Sequence, residues 1–480
     1  MILDRKFYSY INGELVEGNS REEVVVCPGT EEEVVKIKLV SPEQVNEAFE
    51  AAREAFPYWS TLPLEEREQW ALKLSDAIWA KEEEFFQLLM LETGKVKAHI
   101  DFEPGQIVRY LKFFMEQAKC NHDETIRDIT GGKGAFLAVR EPLGVVSASL
   151  AWNFPLHNMA TKLGPILASG CTAVIKPSQR TPLSAMLLGE ILKEIDFPKG
   201  VINLVIGDSR EIGETLCNSK IPAMISLIGS TPGGLKMISD SVTSVKRFSM
   251  ELGGDAPTII TESADIEKAA KDTMTFKISD AGQCCVAPQR AIIHEKVYDK
   301  FIEACIKECE AAVCGTMEED ANMDPLINKE TLLRMEALVE DAKAKGAKII
   351  WGGRRPEYKS KGYYYLPTII SESNKDCRVM KEEIFGPILV VMKYTDLNEA
   401  IKMANDTEYG LSSYVWGRDM NEISQVVKGL EFGVVNVNGP GTGAHLPHGG
   451  CKNSGIGKDG SRYSLDEYYY IKGVRIALDK

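Results

Sequence analysis

The chain has 480 residues, 44% hydrophobic and 26% charged, with 70 acids against 56 bases and a formal net charge of −14. That length asks for two or three packed units, and the acid excess repels phosphodiester backbones and anionic lipid, so neither nucleic acid nor a membrane is an expected partner. Eleven cysteines, an odd number with no CxxC pair, are too sparse for a disulfide scaffold and wrongly spaced for zinc, which predicts no metal and a reducing, cytoplasmic setting.

At the amino end, residues 1–6 lack the apolar core of a secretory leader, and no later apolar run reaches the roughly 18–20 residues of a bilayer span. Residues 41–56 and 64–93 place apolar side chains at helical spacing (Val45, Ala48, Phe49, Ala52; Trp70, Leu72, Leu74, Ile78) beneath acidic faces, the pattern of surface helices. Asp101 and Glu103 read as solvated surface acids rather than as partners of a cationic substrate tail.

From residue 144, short apolar runs at 145–150, 173–176, 201–206 and 224–228 alternate with helical stretches through Met159 and Leu163, through Leu187 and Ile191, and a short one before Met224. Strict alternation predicts a parallel sheet covered by helices, because parallel strands need crossover connections. A second α/β series has strands near 257–260, 290–294, 388–391, 411–416 and 434–437 and helices near 296–311, 329–345 and 396–405. Cys305 and Cys309, one turn apart, fall on the buried side of the first of those helices. Segments 134–140 and 468–476 alternate apolar and polar residues away from both sheets and are expected to pair as an exposed arm that joins subunits.

Two glycine-rich turns compete for a dinucleotide. Gly455-Ile456-Gly457-Lys458-Asp459-Gly460 matches GxGxxG literally, but it follows no clear strand, opens no convincing helix and leaves no room for the rest of a βαβ unit, so it reads as a decoy. Gly229-Ser230-Thr231-Pro232-Gly233-Gly234 is placed better, directly after a strand and before a helix through Leu235 and Ile238. Backbone N–H groups, the positive helix end and the Ser230 hydroxyl there suit a pyrophosphate, although a tight turn that needs glycine is the plainer reading. Ile175-Lys176-Pro177-Ser178 tips the balance toward a cofactor. Lys176 ends an apolar strand, so its amine emerges at the carboxyl edge of the sheet, where ligands of open parallel sheets collect, in reach of ribose hydroxyls.

Trp152-Asn153-Phe154-Pro155, Glu251-Leu252-Gly253-Gly254 and Gly282-Gln283-Cys284-Cys285 supply a carboxamide, a carboxylate and a thiol. An enzyme that captures a carbonyl as a covalent adduct and releases it with water needs those three: an oxyanion donor, a base and a soft nucleophile. Each also has a structural reading, with Asn153 as a turn residue, Glu251 capping strand-end N–H groups and the cysteines as buried packing.

From about Val35 to Ile476 the chain resembles the aldehyde dehydrogenase superfamily. The resemblance runs through WNFP at 152–155, IKPS at 175–178, GST at 229–231, MELGG at 250–254, GQCC at 282–285, EEIFGP at 382–387 and P-x-GG-x-K-x-SG-x-G at 447–457. Seven ordered motifs make it specific. It implies an α/β fold with a Rossmann-like, parallel-sheet NAD(P)-binding domain (1–119 and 142–252), a second α/β catalytic domain (253–452) and a small β oligomerisation arm (120–141 and 468–480), in a homodimer or homotetramer. It makes Cys285 the nucleophile, with Cys284 in the family's variable slot, and forms the oxyanion hole from the Asn153 amide and the Cys285 backbone N–H.

In the same resemblance Glu251 is the base for hydrolysis of a thioester on Cys285. Glu383 is similar to the carboxylate that binds the nicotinamide ribose, Phe385 packs beside the ring, and Trp152 packs near cofactor and thiol. Lys176, Ser178, Gln179, Gly229 and Ser230 complete the cofactor site. Relatives that pass the acyl group to coenzyme A generally lack the base, so its presence implies an aldehyde oxidised to the free carboxylic acid.

Departures from the family pattern bear on selectivity. Gln179 stands where many relatives have Glu, which would repel a 2′-phosphate, so NAD is the expected cofactor with NADP left open, the more so beside Arg180. His448 stands where many relatives have Phe, and Asn158 and Thr161 are smaller and more polar than the residues that often line the aldehyde tunnel. These three predict a wider, wetter substrate site and a small polar, hydroxy- or amino-aldehyde, and the PHGG and GKD spellings resemble those of enzymes for such substrates. No arginine stands out as an anchor for a semialdehyde carboxylate. Three other readings weigh less: a coenzyme A-acylating relative, a cofactor-independent thiol esterase, and a silent binding protein. The last would have no physical reason to keep Cys285, Glu251, Asn153 and Lys176 together.

Overall fold

A computed structural model of the chain describes residues 5–129, 134–316, 319–441 and 443–477. Of the expected segments, 1–4 at the amino end, 130–133 and 478–480 of the arm, and 317–318 and 442 of the catalytic range lie outside the described residues.

Two large sheets organise the molecule. In the first, five parallel strands lie in the order Arg247–Glu251, Pro222–Ile228, Val145–Ser149, Thr172–Lys176 and Ile202–Leu204. Antiparallel strands flank them, Gly455–Ile456 on one edge and Ser9–Ile11 with Glu14–Val16 on the other. After Val145–Ser149 the chain steps outward twice and then returns to the far side of that strand at Pro222–Ile228. A reversal of this kind opens a crevice beyond the carboxyl ends of the two strands it separates.

The second sheet runs Lys348–Trp351, Thr368–Ser371, Ile388–Tyr394, Arg290–His294, Thr258–Ile260, Ser412–Trp416, Val434–Val437, parallel except at its Lys348–Trp351 edge. The two are set so that strand ends of the first sheet (Ser149, Lys176, Ile228, Glu251) and segments entering the second (Cys285, Glu383, Phe385, Gly433) line one cavity. This is the α/β architecture expected. The arm segments pair antiparallel from Tyr469↔Pro142 to Ile476↔Ala135, and Glu124–Ile126 adds a third strand.

Several expected boundaries move. The first helix, Pro42–Thr61, continues through Pro57, and the stretch 64–93 is two helices, Leu64–Ala80 and Glu82–Thr93, broken at Lys81. Leu72 is exposed whereas Leu74 and Ile78 are fully buried. Helices Ile266–Ile278 and Met420–Gly429 and strands Lys348–Trp351 and Thr368–Ser371 were not anticipated. The GxGxxG stretch does carry a strand, Gly455–Ile456, and a seven-residue helix, Ser461–Glu467, follows it.

Glu103 is the clearest correction. It is fully buried, not solvated, while Asp101 is exposed. Helix Pro155–Ser169 is buried along almost its whole length, and its N-cap position is Phe154, which offers no side-chain acceptor. The Glu103 carboxylate takes over that duty, accepting from Leu156 N at 2.9 Å and His157 N at 3.3 Å. Glu92 does the same for helix Leu183–Glu194, whose cap is Pro182, accepting from Leu183 N at 2.5 Å and Ser184 N at 3.2 Å. Burial pushes Glu103 up to about 7 and Glu92 up to about 8, against those hydrogen bonds. Glu103→Ala leaves two buried helix-end N–H groups without an acceptor. The expected cost is about 1–3 kcal/mol per orphaned group, read as a lower guanidinium midpoint at unchanged slope.

Candidate active site

The thiol loop is built on strained backbone. Asp280 and Ala281 hold φ values of 53° and 47°, and Gly282 follows at 72°. A Cβ at Gly282 would lie 2.3 Å from the Gly386 carbonyl oxygen, so the position admits no side chain. Left-handed backbone at two non-glycine residues costs about 1–2 kcal/mol each, and a buried polar cage holds it in place. Lys95, 2% exposed, ion-pairs with Asp280 Oδ1 at 3.2 Å and donates to the Asn153 carbonyl. Asp324 accepts from Asp280 N at 2.6 Å and Val96 N at 2.8 Å and contacts His99 Nδ1 at 2.6 Å. Gln283 donates to the Asp280 and Pro325 carbonyls and accepts from Ile327 N.

That cage presents Cys284 and Cys285 to a cavity of about 2280 Å³. The two thiols share a hydrogen bond and titrate as a pair. Cys284 is lowered to about 7, because the Cys285 S–H stabilises its thiolate. Cys285 is held well above the ordinary value by its hydrogen bond to Cys284, by burial and by the charges of Cys284, Glu251 and Glu383.

Asn153 reaches the same place from the other sheet. Its Nδ2 donates to the Gln283 carbonyl at 3.0 Å, which ties the segment after strand Val145–Ser149 to the thiol loop. Asn158 Nδ2 donates to Asn153 Oδ1 and to the Ala151 carbonyl, both at 3.2 Å, so the Asn153 amide is oriented with its N–H group toward the thiol loop. Thr161 donates back to the Asn158 carbonyl at 3.0 Å. Both Asn158 and Thr161 line the cavity, as their expected substrate role requires, but Asn158 is also the prop of Asn153.

Glu251 ends its strand 5% exposed. Neither of its carboxylate oxygens accepts a hydrogen bond of good geometry from a described residue, and His448 Nε2 stands 3.1 Å from Oε2. Behind His448 lies a buried ion pair, Lys162 Nζ to Asp459 Oδ1 at 2.5 Å. Asp459 belongs to the GxGxxG stretch and lines the cavity. The glycines of that stretch do not: Gly455 packs on the Met250 carbonyl, Gly457 on Glu467 and Gly460 on the Leu446 carbonyl.

At the far end the cavity follows the crevice of the first sheet. Ser230 caps helix Thr231–Asp240 by accepting from Gly233 N at 3.3 Å, with Gly229 before it. Lys176 is 5% exposed and its amine makes no hydrogen bond to any described residue; burial lowers it to about 8. A buried amine without an acceptor, facing a crevice with an open helix N-terminus, fits a ligand that brings hydroxyl and phosphate oxygens. Ser178 accepts from Arg180 N, and Gln179 Oε1 from Ser209 N at 3.3 Å. Toward the thiols, Glu383 accepts from Gly254 N at 3.0 Å and is pushed up to about 7 by burial, and Phe385, at φ 48°, stands edge-on to Trp152 with centroids 5.6 Å apart. These residues fit a dinucleotide that runs from the first sheet to the thiol pair.

Every residue singled out from sequence for catalysis, cofactor or substrate lines this cavity. Sequence reasoning missed Lys95, Asp280 and Asp324, which carry no motif of their own, and the cavity residues Gln106, Arg109, His157 and His445.

Comparison with known proteins places the chain. The model of the aldehyde dehydrogenase family matches residues 15–474. The chain is 35% identical to lactaldehyde dehydrogenase of Escherichia coli K12 over 469 residues, covering 97% of each. It is 32% identical to an NADP(+) succinate-semialdehyde dehydrogenase of the same organism, covering 98% of this chain and 97% of that one. The crystal structure of betaine aldehyde dehydrogenase from Staphylococcus aureus in complex with NAD+ superposes with a TM-score of 0.96 at 32% identity, covering 99% of this chain and 96% of that one.

The thiol pair makes a measurable prediction. Iodoacetamide labelling of the pair, followed by peptide mass, should be half-maximal near pH 7, where the first proton leaves. In Cys284→Ala the half-point for Cys285 should move down, since the hydrogen bond and charge that Cys284 imposes on it are gone, while burial and the facing carboxylates still hold it above the ordinary thiol. An unmoved half-point refutes the shared proton.

Proposed function

Because this chain belongs to the aldehyde dehydrogenase family and is an NAD(P)-dependent enzyme that oxidises an aldehyde to the free carboxylic acid, we propose that Cys285 is its nucleophile, Asn153 its oxyanion donor and Glu251 its hydrolytic base. The Cys285 thiolate adds to the carbonyl carbon. The oxygen then carries the negative charge, and the Asn153 N–H and the Cys285 backbone N–H receive it without reorganising. Bound along Lys176, Ser178, Gln179, Gly229, Ser230, Glu383, Phe385 and Trp152, the dinucleotide supplies the two-electron oxidant. The acyl group remains on Cys285 as a thioester. Glu251 takes a proton from water, the hydroxide adds to the acyl carbon, and the C–S bond breaks to return the thiolate and free acid.

The observation that carries this reading is Glu251. A buried carboxylate that accepts no backbone N–H, has His448 beside one oxygen and lines the cavity that holds the thiol can take a water's proton. It favours hydrolysis over transfer of the acyl group to coenzyme A.

The substrate we propose is a small polar aldehyde, hydroxy- or amino-bearing. The names of the relatives, lactaldehyde and succinate-semialdehyde dehydrogenases, support it, and so do the polar side chains of the aldehyde end, Gln106, Asn158, Thr161, His445 and His448. Neutral Gln179, with Arg180 paired only loosely to Glu330 at 3.9 Å, supports use of NADP beside NAD. The domain ranges we propose are 1–119 and 142–252 for cofactor, 253–452 for catalysis, and 120–141 and 468–480 as an arm; the first sheet's strands up to Glu251 and the second's from Thr258 to Val437 support them, while Gly455–Ile456 returns to the first sheet from outside its range. Half or more exposed, Ile126 and Ile471 on that arm support a homodimer or homotetramer. Eleven free thiols support a cytoplasmic setting, and among the described residues no helix is long and apolar enough to cross a membrane.

Two experiments test the reading. With a panel of small aldehydes and NAD or NADP, absorbance of the reduced ring should rise with the native protein and not with Cys285→Ala, which should keep its cofactor affinity. Asn153→Ala should lose about 10²–10³ in rate, the usual effect of one oxyanion donor, and coenzyme A-dependent formation of an acyl-CoA would overturn the hydrolytic role of Glu251. Separately, light scattering should give the molar mass of two or four chains, and a single-chain mass would refute the arm's role.

A further inference from the structure

The loop carrying His448 is held against Glu251, with the His448 side chain 37% exposed. Its backbone is bridged to Asp459 in both directions, His448 N donating to the Asp459 carbonyl at 2.7 Å and Asp459 N to the His448 carbonyl at 2.6 Å. Asp459 is in turn fixed by Lys162 within the core. Gly449 follows in left-handed backbone at φ 154°, and a Cβ there would lie 2.9 Å from Glu251 Oε1. Lys458 Nζ closes the loop by donating to the Gly449 carbonyl at 2.8 Å. The imidazole is thus delivered to one carboxylate oxygen, Oε2, at 3.1 Å, and the other oxygen is left without a partner.

We propose that His448 is a positioning residue for Glu251: its imidazole grips Oε2 and leaves Oε1 to take the proton of the water that attacks the thioester. The inference rests on Glu251 being the hydrolytic base and adds how that base is aimed.

The groups around His448 decide its charge. Burial and the positive Lys162 oppose the imidazolium, and His157 faces it from helix Pro155–Ser169. Glu251, Asp459 and the Cys284 side of the thiol pair favour it, and the Lys458 amine is engaged with the Gly449 carbonyl. Burial is the largest single influence, yet the carboxylates win and raise His448 to about 9. His157, buried and facing this cation, is lowered to about 4 and stays neutral. A group with a raised value is charged below it, so the cation is present throughout the neutral range and is lost only as pH passes about 9.

The test separates formation of the acyl-enzyme from its decay. Reduced-ring absorbance in a stopped-flow burst reports formation, and intact-protein mass after rapid quench reports decay of the acylated chain. His448→Phe and His448→Gln, which also change the aldehyde end, should slow hydrolysis of the acyl-enzyme near neutral pH by a larger factor than they slow its formation at saturating aldehyde. Native decay should fall as pH passes about 9, where the imidazolium is lost, and that alkaline limb should be absent from both variants. His448→Lys, which keeps a cation, should decay faster than either. If one variant does not fold, the other carries the measurement. Decay profiles that superpose on the native one in the folded variants overturn the proposal, as does equal loss of formation and decay. Glu251→Gln separates this from the underlying reading: if that variant hydrolyses the acyl-enzyme at the native rate, the role of Glu251 itself fails, whereas slow decay there with the alkaline limb retained in the His448 variants sinks only the inference.

Discussion

One hydrogen bond spans the two halves of the chemistry, from Asn153 Nδ2 to the Gln283 carbonyl. Asn153 follows a strand of one parallel sheet and Gln283 precedes a strand of the other, so the bond, together with the Lys95–Asp280 and Val96–Asp324 contacts, ties the carboxyl edge of the first sheet to the amino edge of the second. The crevice at the reversal of the first sheet becomes the cofactor end of the cavity, and the thiol loop closes its other end. Local strain concentrates on the closing side, at Asp280, Ala281 and Phe385, where an inward turn is needed and only a surrounding cage makes it persist.

Three buried carboxylates and a half-buried one show how partners, rather than residue type, set what a carboxylate can do. Glu92 and Glu103 face helix ends and spend their oxygens on backbone N–H groups, which makes them parts of the scaffold. Glu383 keeps one such bond, to Gly254, and faces the cavity with the rest of its carboxyl group. Glu251 has none, only an ionic neighbour. A charge in low dielectric must be answered by something, and the kind of answer separates the acids fixed at helix ends from those left facing the cavity.

Legibility in the sequence followed burial. Strands covered on both faces, such as Thr172–Lys176, are continuous apolar runs and were readable to within a residue or two. Short edge strands such as Ser9–Ile11 and Glu14–Val16 have no such signature, and Lys348–Trp351 pairs at an edge too. The site's main residues were readable because their motifs stand at strand ends in the right order. Their supports were not. Lys95, Asp324 and the His448–Glu251 contact join residues far apart in the chain, and no local pattern announces a pairing that only the closed fold creates. Glu103 failed for the opposite reason: amid charged and polar neighbours it looks like any surface acid, and only the uncapped helix beside it explains its burial.

The edge strand Gly455–Ile456, the His448 loop and Asp459 all lie close to the carboxy terminus, and strand Tyr469–Ile476 reaches back to Ala135–Pro142. A nascent chain on the ribosome therefore exposes its thiol loop long before the residues that flank Glu251 have been made. Until residues 448–459 have been made, strand Arg247–Glu251 is an open edge and Glu251 has no imidazole beside it. A chain cut short before residue 448 would carry the thiol loop without the segment that flanks Glu251.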